Sequence, residues 1–406
     1  MPSSRDTSGA IAITGVGVRS PLGDSFAAVA DALLAGRPAI RTVDFGTGME
    51  GVRTLAAPLA DGDCVAAVPA AGAVGRLERI NLQALAAALA DGGIDPRATG
   101  PRLGLVLGQG AEHLKEWEAD FRGGGRDVFT GAGAEPLVER LAAATGCAGP
   151  ALTVGAACAS SGFAIALARS WLDAGLVDIC VAGGCEVLSP IAMAAFHNLR
   201  ALSRWSGAPD QASRPFDRQR DGFVMGEGGA FLVLEPAARA RARGAVIRGL
   251  LTGVGTSSDA AHMVAPCSDP TQAARAIGAA LADAGIAPGE IDYVNAHAAG
   301  TPIGDVAEAA AIRRALGDAA ATVPVSSTKG LSGHLVSGAA AFEALACLVA
   351  FDRRAIPATA NLDAPDERCV LDHVRGQPRE RAVRIAASNS FGFGGANLCL
   401  ILERAA

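Results

Sequence analysis

The sequence predicts an α/β protein built from one unit used twice. Three observations predict it. Short apolar runs of strand length alternate with Ala- and Leu-rich helical stretches along all 406 residues. Those runs are continuously apolar, which marks strands covered by helices on both faces. The order of landmarks in the first half then returns in the second. The first half runs ITGVG, a helical stretch, GLVLG, the Cys158 segment opening a helix, VAGG and FLVLE. The second runs LTGVGT, a helical stretch, YVNAH, the Lys329 to His334 segment ahead of a helix, IAASNS and LCLIL.

Taken in order, strands are expected at 11–14, 103–107, 151–154, 178–182 and 231–234, with helices at 81–91, 137–145 and 161–175. The Arg/Ala run EPAARARARG then marks a seam, dividing the chain into residues 1–244 and 245–406. Beyond it, strands are expected at 246–251, 291–295, 322–325, 383–387 and 398–402, and helices at 271–285, 305–316 and 339–352. The Gly-dense run at 390–397 reads as a turn rather than a strand. Such a loop lets backbone N–H groups approach a ligand. Clefts between packed α/β units, at strand ends, are where ligands bind.

Composition excludes several classes. With 50% apolar residues and a mean hydropathy of +0.30, the chain buries a large core and is not disordered. A net charge of −6 and 4% aromatics give neither the basic stripe nor the stacking platform of a nucleic-acid binder. The first ten residues lack a charged segment followed by an apolar one, so no signal peptide is expected. Apolar stretches are broken short of a membrane span. The nine cysteines stand singly, without C-x-x-C spacing. This gives no support for zinc or another metal and points to reduced thiols in a cytoplasm. Gly15-Val16-Gly17 and Gly253-Val254-Gly255 begin like a dinucleotide fingerprint, but Ser20 and Ser258 stand where the third glycine belongs. Nucleotide binding is set aside.

Chemistry concentrates at three places. Cys158 lies in Val154-Gly155-Ala156-Ala157-Cys158-Ala159-Ser160-Ser161-Gly162, a strand end, a small-residue turn and a helix start. The helix dipole and unpaired N–H groups there are expected to lower the thiol pKa and favour thiolate. From these residues alone the thiol reads equally as a nucleophile or as a buried small hydrophobe. His297 and His334 both follow strands, in turns lined by Gly, Ser and Thr, whereas His113, His197, His262 and His373 lack that setting. Lysine occurs only at positions 115 and 329 among 35 basic residues. A compact ammonium at Lys329 suits pairing with Glu343 or tuning a histidine.

Cys158 in its elbow, NAHxxGTP, KGLSGH and NSFGFGGAN, in that order, resemble the β-ketoacyl-carrier-protein synthases of the thiolase-like superfamily, in their elongating Cys-His-His branch. RPFD at 214–217 and RDGF at 220–223 match as well, and the resemblance spans essentially the whole chain. It implies a thiolase-like duplicated α/β unit in a five-layer αβαβα body, paired as a homodimer or with a ketosynthase-like subunit. It implies that Cys158 takes an acyl group from an acyl carrier protein. His297 and His334 then promote decarboxylation of a malonyl-type thioester, and Lys329 and Glu343 support them. Phe393 is implied as a gate whose N–H joins that of Cys158 in an oxyanion hole. No cofactor is implied; acyl substrates arrive on the phosphopantetheine arm of the carrier.

This sequence departs from the family pattern where that arm binds. Of two threonines in the HGTGT-type run only Thr301 remains, the other being Ala299. Val264 stands where a threonine is common, and Ala396 replaces the threonine of FGFGGTN. Thr301, Ala299, Val264 and Gly394 are taken as substrate-binding positions. Arg76, Arg79, Arg200 and Arg204 are candidates for a face that docks an acidic carrier. Rival readings are a ketosynthase-like acyltransferase or cyclase working from acyl-Cys158, and a non-catalytic chain-length partner subunit.

Overall fold

The structure, a computed structural model, describes residues 9–45, 54–60, 75–110 and 135–405, with residues 114, 118, 120 and 124 between. Cys64, His113 and Lys115 lie outside the described residues. The first half contains β1 (Ile11–Arg19), α1 (Phe26–Ala35), α2 (Arg76–Asp91), β2 (Leu103–Gly108), α3 (Leu137–Thr145), β3 (Ala151–Val154), α4 (Ser160–Asp173), β4 (Ile179–Glu186), α5 (Pro190–Asn198) and β5 (Gly228–Pro236). The second contains β6 (Gly249–Ser258), α6 (Thr271–Asp283), β7 (Tyr293–Asn295), α7 (Gly304–Leu316), β8 (Pro324–Ser326), α8 (Ala339–Arg353), β9 (Asp372–His373), β10 (Ile385–Gly392) and β11 (Ala396–Glu403).

The repeat seen in the sequence is a repeat of topology. The main sheet runs β9-β8-β7-β10-β11-β6-β1-β5-β4-β2-β3. On one side of the seam the order is β3-β2-β4-β5-β1. On the other it is β8-β7-β10-β11-β6, the same path with β9 added at the edge. The senses agree too: β2 is parallel to β3 and β4, and β7 is parallel to β8 and β10. Among the described residues, the two half-sheets pair only where Ile11, Ala12 and Ile13 meet Leu251, Leu250 and Gly249.

Helices complete five layers. α2 packs outside the first half-sheet and α6 and α7 outside the second, while α4 and α8 lie against each other between them. α8 reads AAAFEALACLVAF before its last turn, apolar all round except Glu343, and every residue from Ala339 to Phe351 is buried. A helix with no polar face belongs in an interior. The two G-V-G runs are packing devices. A Cβ at Gly17 would stand 1.9 Å from Ala84 O on α2, and one at Gly255 would stand 2.0 Å from Ala276 O on α6. Both glycines let a strand lie against its outer helix, which is why each run imitates a nucleotide fingerprint without its third glycine.

Two readings need correction. Ser390–Asn397 is not all turn: β10 runs through Gly392, β11 starts at Ala396, and only Phe393–Gly395 reverses the chain. Full antiparallel pairing of Phe391 with Asn397 and Gly392 with Ala396 overrides the low strand propensity of glycine. Helices α1 and α5 also went unrecognised. α1 carries a Ser25 cap whose hydroxyl accepts from Ala28 N–H, and α5 is capped by Ser189 in the same way. Among the described residues no helix is long and apolar enough to cross a membrane.

Candidate active site

The nucleophile candidate sits in a strained elbow. β3 ends at Val154, residues 157–159 form one tight turn, and α4 begins at Ser160. Ala157 holds φ = 49°, a left-handed value costly for a residue with a Cβ. The Ser160 hydroxyl fixes it, donating to Ala157 O at 2.7 Å and accepting from Ala156 N–H at 2.9 Å. Gly392 lets β10 reach this turn, since a Cβ there would lie 2.4 Å from Ala156 O. The Phe393 N–H consequently comes near enough to the Cys158 sulfur to favour its charged form.

The resting thiol corrects the expectation of a thiolate. Burial pushes Cys158 up to about 12, and the Lys329 charge and the Phe393 N–H only partly oppose it. Desolvation of a fully enclosed sulfur outweighs its place ahead of a helix. Cys180 and Cys185 share that protonated state and differ from Cys158 in position. Cys180 and Cys185 lie in β4, fully buried, with burial raising both further.

The second half supplies the histidines to the same cleft. Cys158, His297, His334, Ala299, Thr301, Val264, Phe223, Phe391 and Phe393 all line it, around roughly 770 Å³ of empty space including its open mouth. The imidazoles meet edge to face with centroids 5.3 Å apart, and Phe223 packs on His334 at 5.3 Å. Burial and the nearby Lys329 charge push both histidines well below their ordinary pKa, so both are neutral at pH 7. Each leaves Nδ1 without a hydrogen-bond partner among the described residues. Lys329 and Glu343 form a buried ion pair behind the cleft rather than in its wall. Burial raises Glu343 to about 7 while Lys329 opposes the shift.

Sequence reasoning missed the carboxylates that hold the His297 loop. Glu308 accepts from His297 N–H at 2.8 Å, from Ala298 N–H at 2.6 Å and from the Asn389 amide at 3.2 Å. One turn earlier on α7, Asp305 accepts from Gly300 and Thr301 N–H, both at 3.1 Å, and from Phe216 N–H at 2.8 Å. Arg220 clamps the same loop through Thr301 O and Pro302 O. The available signal was a pair of acids three apart on an Ala-rich helix just after a loop, a spacing that puts both on one face.

The remaining candidates divide. Thr301 lines the cleft, and its Oγ1 accepts from Gly304 N–H at 3.1 Å. Phe393 is half-buried against Phe196, with centroids 6.1 Å apart. Gly394 does not line the cleft: it is exposed on the outside of the turn at φ = 83°, and its part is conformational. Arg79, Arg200 and Arg204 are exposed. Arg76 is not a surface docking residue, because its guanidinium is buried against Glu227 at 2.6 Å and 2.8 Å. His197 and His262 are exposed and His373 packs on Phe216, all away from the cleft lining.

Comparison with known proteins gives one answer. The family model for the β-ketoacyl synthase N-terminal domain matches residues 8–240, and that for the C-terminal domain matches residues 248–363. The 3-oxoacyl-acyl-carrier-protein synthase 2 of Vibrio cholerae serotype O1 is 37% identical over 410 residues, covering 97% of this chain and 99% of its own. A solved type II polyketide acyl-carrier protein in complex with its ketosynthase, bound to the hexaketide, has a ketosynthase-like chain that superposes with TM-score 0.87 at 26% identity. That match covers 98% of this chain and 99% of the other. The ishigamide ketosynthase/chain length factor superposes with TM-score 0.85 at 31% identity, over 98% and 99%.

Proposed function

Because the chain belongs to the β-ketoacyl synthase family, an acyltransferase family of fatty-acid and polyketide biosynthesis, we propose that Cys158, His297 and His334 carry out its condensation. The observation that carries this reading is one cleft lined by a thiol from the first half and two neutral imidazoles from the second. In the first step the Cys158 sulfur attacks the thioester carbonyl of an acyl-carrier substrate. A neutral imidazole can accept the thiol proton, and the carrier thiol leaves. In the second step the bond to the malonyl carboxylate breaks, CO₂ departs, and the electron pair becomes a thioester enolate. Imidazole N–H groups hold its oxygen. Its carbon then attacks acyl-Cys158, the N–H groups of Cys158 and Phe393 hold the oxyanion, and collapse releases the thiolate and a β-ketoacyl thioester.

Lys329 adds to burial in keeping both imidazoles uncharged, and Glu343 balances that buried ammonium. The arm of the carrier enters past Val264, Ala299 and Thr301. Arg79, Arg200 and Arg204 are the remaining candidates for carrier docking, and the halves divide at residue 244. A partner copy, or a ketosynthase-like subunit, has an open sheet edge to pair with in β3, where Leu152 is 47% exposed. The eight described cysteines are free thiols, which supports a reducing, cytoplasmic setting.

Decarboxylation of malonyl-carrier protein by the Cys158→Gln variant tests the reading. CO₂ release without acylation is the expected result. No release from either this variant or the wild type would refute it.

A further inference from the structure

The His334 ring is placed through its main chain. His334 N–H donates to Val224 O at 2.7 Å, and its carbonyl accepts from Gly226 N–H at 2.8 Å. Met225 and His334 form an isolated parallel bridge. With Nδ1 unpartnered, the position of the imidazole follows the strand Met225–Gly226 on which its backbone rests. A two-residue strand has little hold of its own. This one pairs on its far side with Thr54–Ala57, through Ala56 with Met225 and Ala57 with Gly226.

The next residue anchors that arrangement. Glu227 N–H donates to Ala57 O at 2.9 Å, and its fully buried carboxylate accepts from Leu59 N–H at 3.2 Å. Both carboxylate oxygens also accept from the guanidinium of Arg76, the first residue of α2. A bidentate fork fixes direction as well as distance. A buried ion pair adds little net stability over apolar replacements, so its use here points to geometry.

We propose that Arg76 and Glu227 are positioning residues for His334: their buried fork ties the strand beneath His334 to the start of α2 and so sets the imidazole for decarboxylation. This rests on the role given to His334 above, and the two can fail separately.

The test compares two half-reactions: acyl transfer to Cys158, read by intact mass, and CO₂ release from malonyl-carrier protein, read in the Cys158→Gln background. Glu227→Gln and the double variant Arg76→Met/Glu227→Gln should lose about 10- to 100-fold in CO₂ release, the scale of a misplaced catalytic group. Acylation should stay within about twofold of wild type, and Arg76→Lys, which keeps the charge but not the fork, should lose less than Arg76→Met. The double variant removes both charges of the fork, so it serves if the single change fails to fold. Arg140→Met removes another ion pair of α2, Arg140 with Glu78, and should leave the ratio of half-reactions at its wild-type value. The ring-proton NMR signal of His334 gives a readout independent of turnover. It should move in the double variant and not in Arg140→Met. A wild type without CO₂ release would overturn the role of His334, whereas an unmoved ring signal or an unchanged ratio would overturn the positioning proposal.

Discussion

The duplicated fold makes two strand-to-helix elbows, and only one of them lines the cleft. The elbow before α4 carries Ala157 at φ = 49°, then Cys158. The elbow before α8 carries Val336 at φ = 44°, then Ser337. Both store the same kind of backbone strain at the same step of the topology. Cys158 lines the cleft, whereas Ser337 is buried, donating to Glu186 Oε2 at 2.9 Å and accepting from Gly110 N–H at 3.0 Å. The second elbow has become a brace. Its hydroxyl links the end of β4 to the residues after β2, directly beside the first elbow. Strain therefore marks where a nucleophile can be presented, and the surroundings decide whether one is.

The sharpest way to break this comparison is to move the thiol. Cys158→Ala should abolish acyl-enzyme formation, and adding Ser337→Cys to it should restore none, as read by mass spectrometry after incubation with acyl-carrier protein. Acylation at position 337 would show that the elbows are chemically equivalent. Next in size are the histidines. His297→Ala or His334→Ala should cut condensation by at least about 10², the scale of one positioned donor or acid/base group, while acyl-Cys158 still forms. Loss of acylation with decarboxylation intact would reverse the assigned roles.

Protonation offers a third probe. A thiol near 12 is protonated throughout the neutral range, so raising pH increases its thiolate fraction. Alkylation of the resting enzyme by iodoacetamide should rise about tenfold per pH unit from about pH 7 to 10 with no plateau. A plateau near pH 8 would show that the helix terminus and Lys329 outweigh burial. The smallest effect is expected at the brace. Ser337→Ala leaves the Gly110 N–H and one Glu186 oxygen without that partner and should lower stability in urea by about 1–3 kcal/mol, without preventing acylation.

Much of this was legible beforehand, for identifiable reasons. Strand-length apolar runs and the repeated order of landmarks give the two halves because topology follows hydrophobic pattern. Cys158, His297 and His334 stand out because small residues at strand ends leave room for a ligand. What stayed hidden depends on distance in space. Glu308 acts on a loop ten residues back, and Arg76 meets Glu227 across 151 residues. The Cys158 thiol was misjudged because a helix start is visible in sequence, while the desolvation that opposes it is a property of the packed site.

The narrow join between the half-sheets has a consequence for assembly. Only three residue pairs link β1 to β6, and the proposed catalytic set draws its sulfur from one side and its imidazoles from the other. The peptide link across the seam is thus a tether, raising the local concentration of two bodies that α4 and α8 hold together by burial. A chain severed at residue 244 would turn folding into a bimolecular event. Each piece alone would bare part of the interior face and be inert. Mixed together, they would recover activity with a steep dependence on protein concentration.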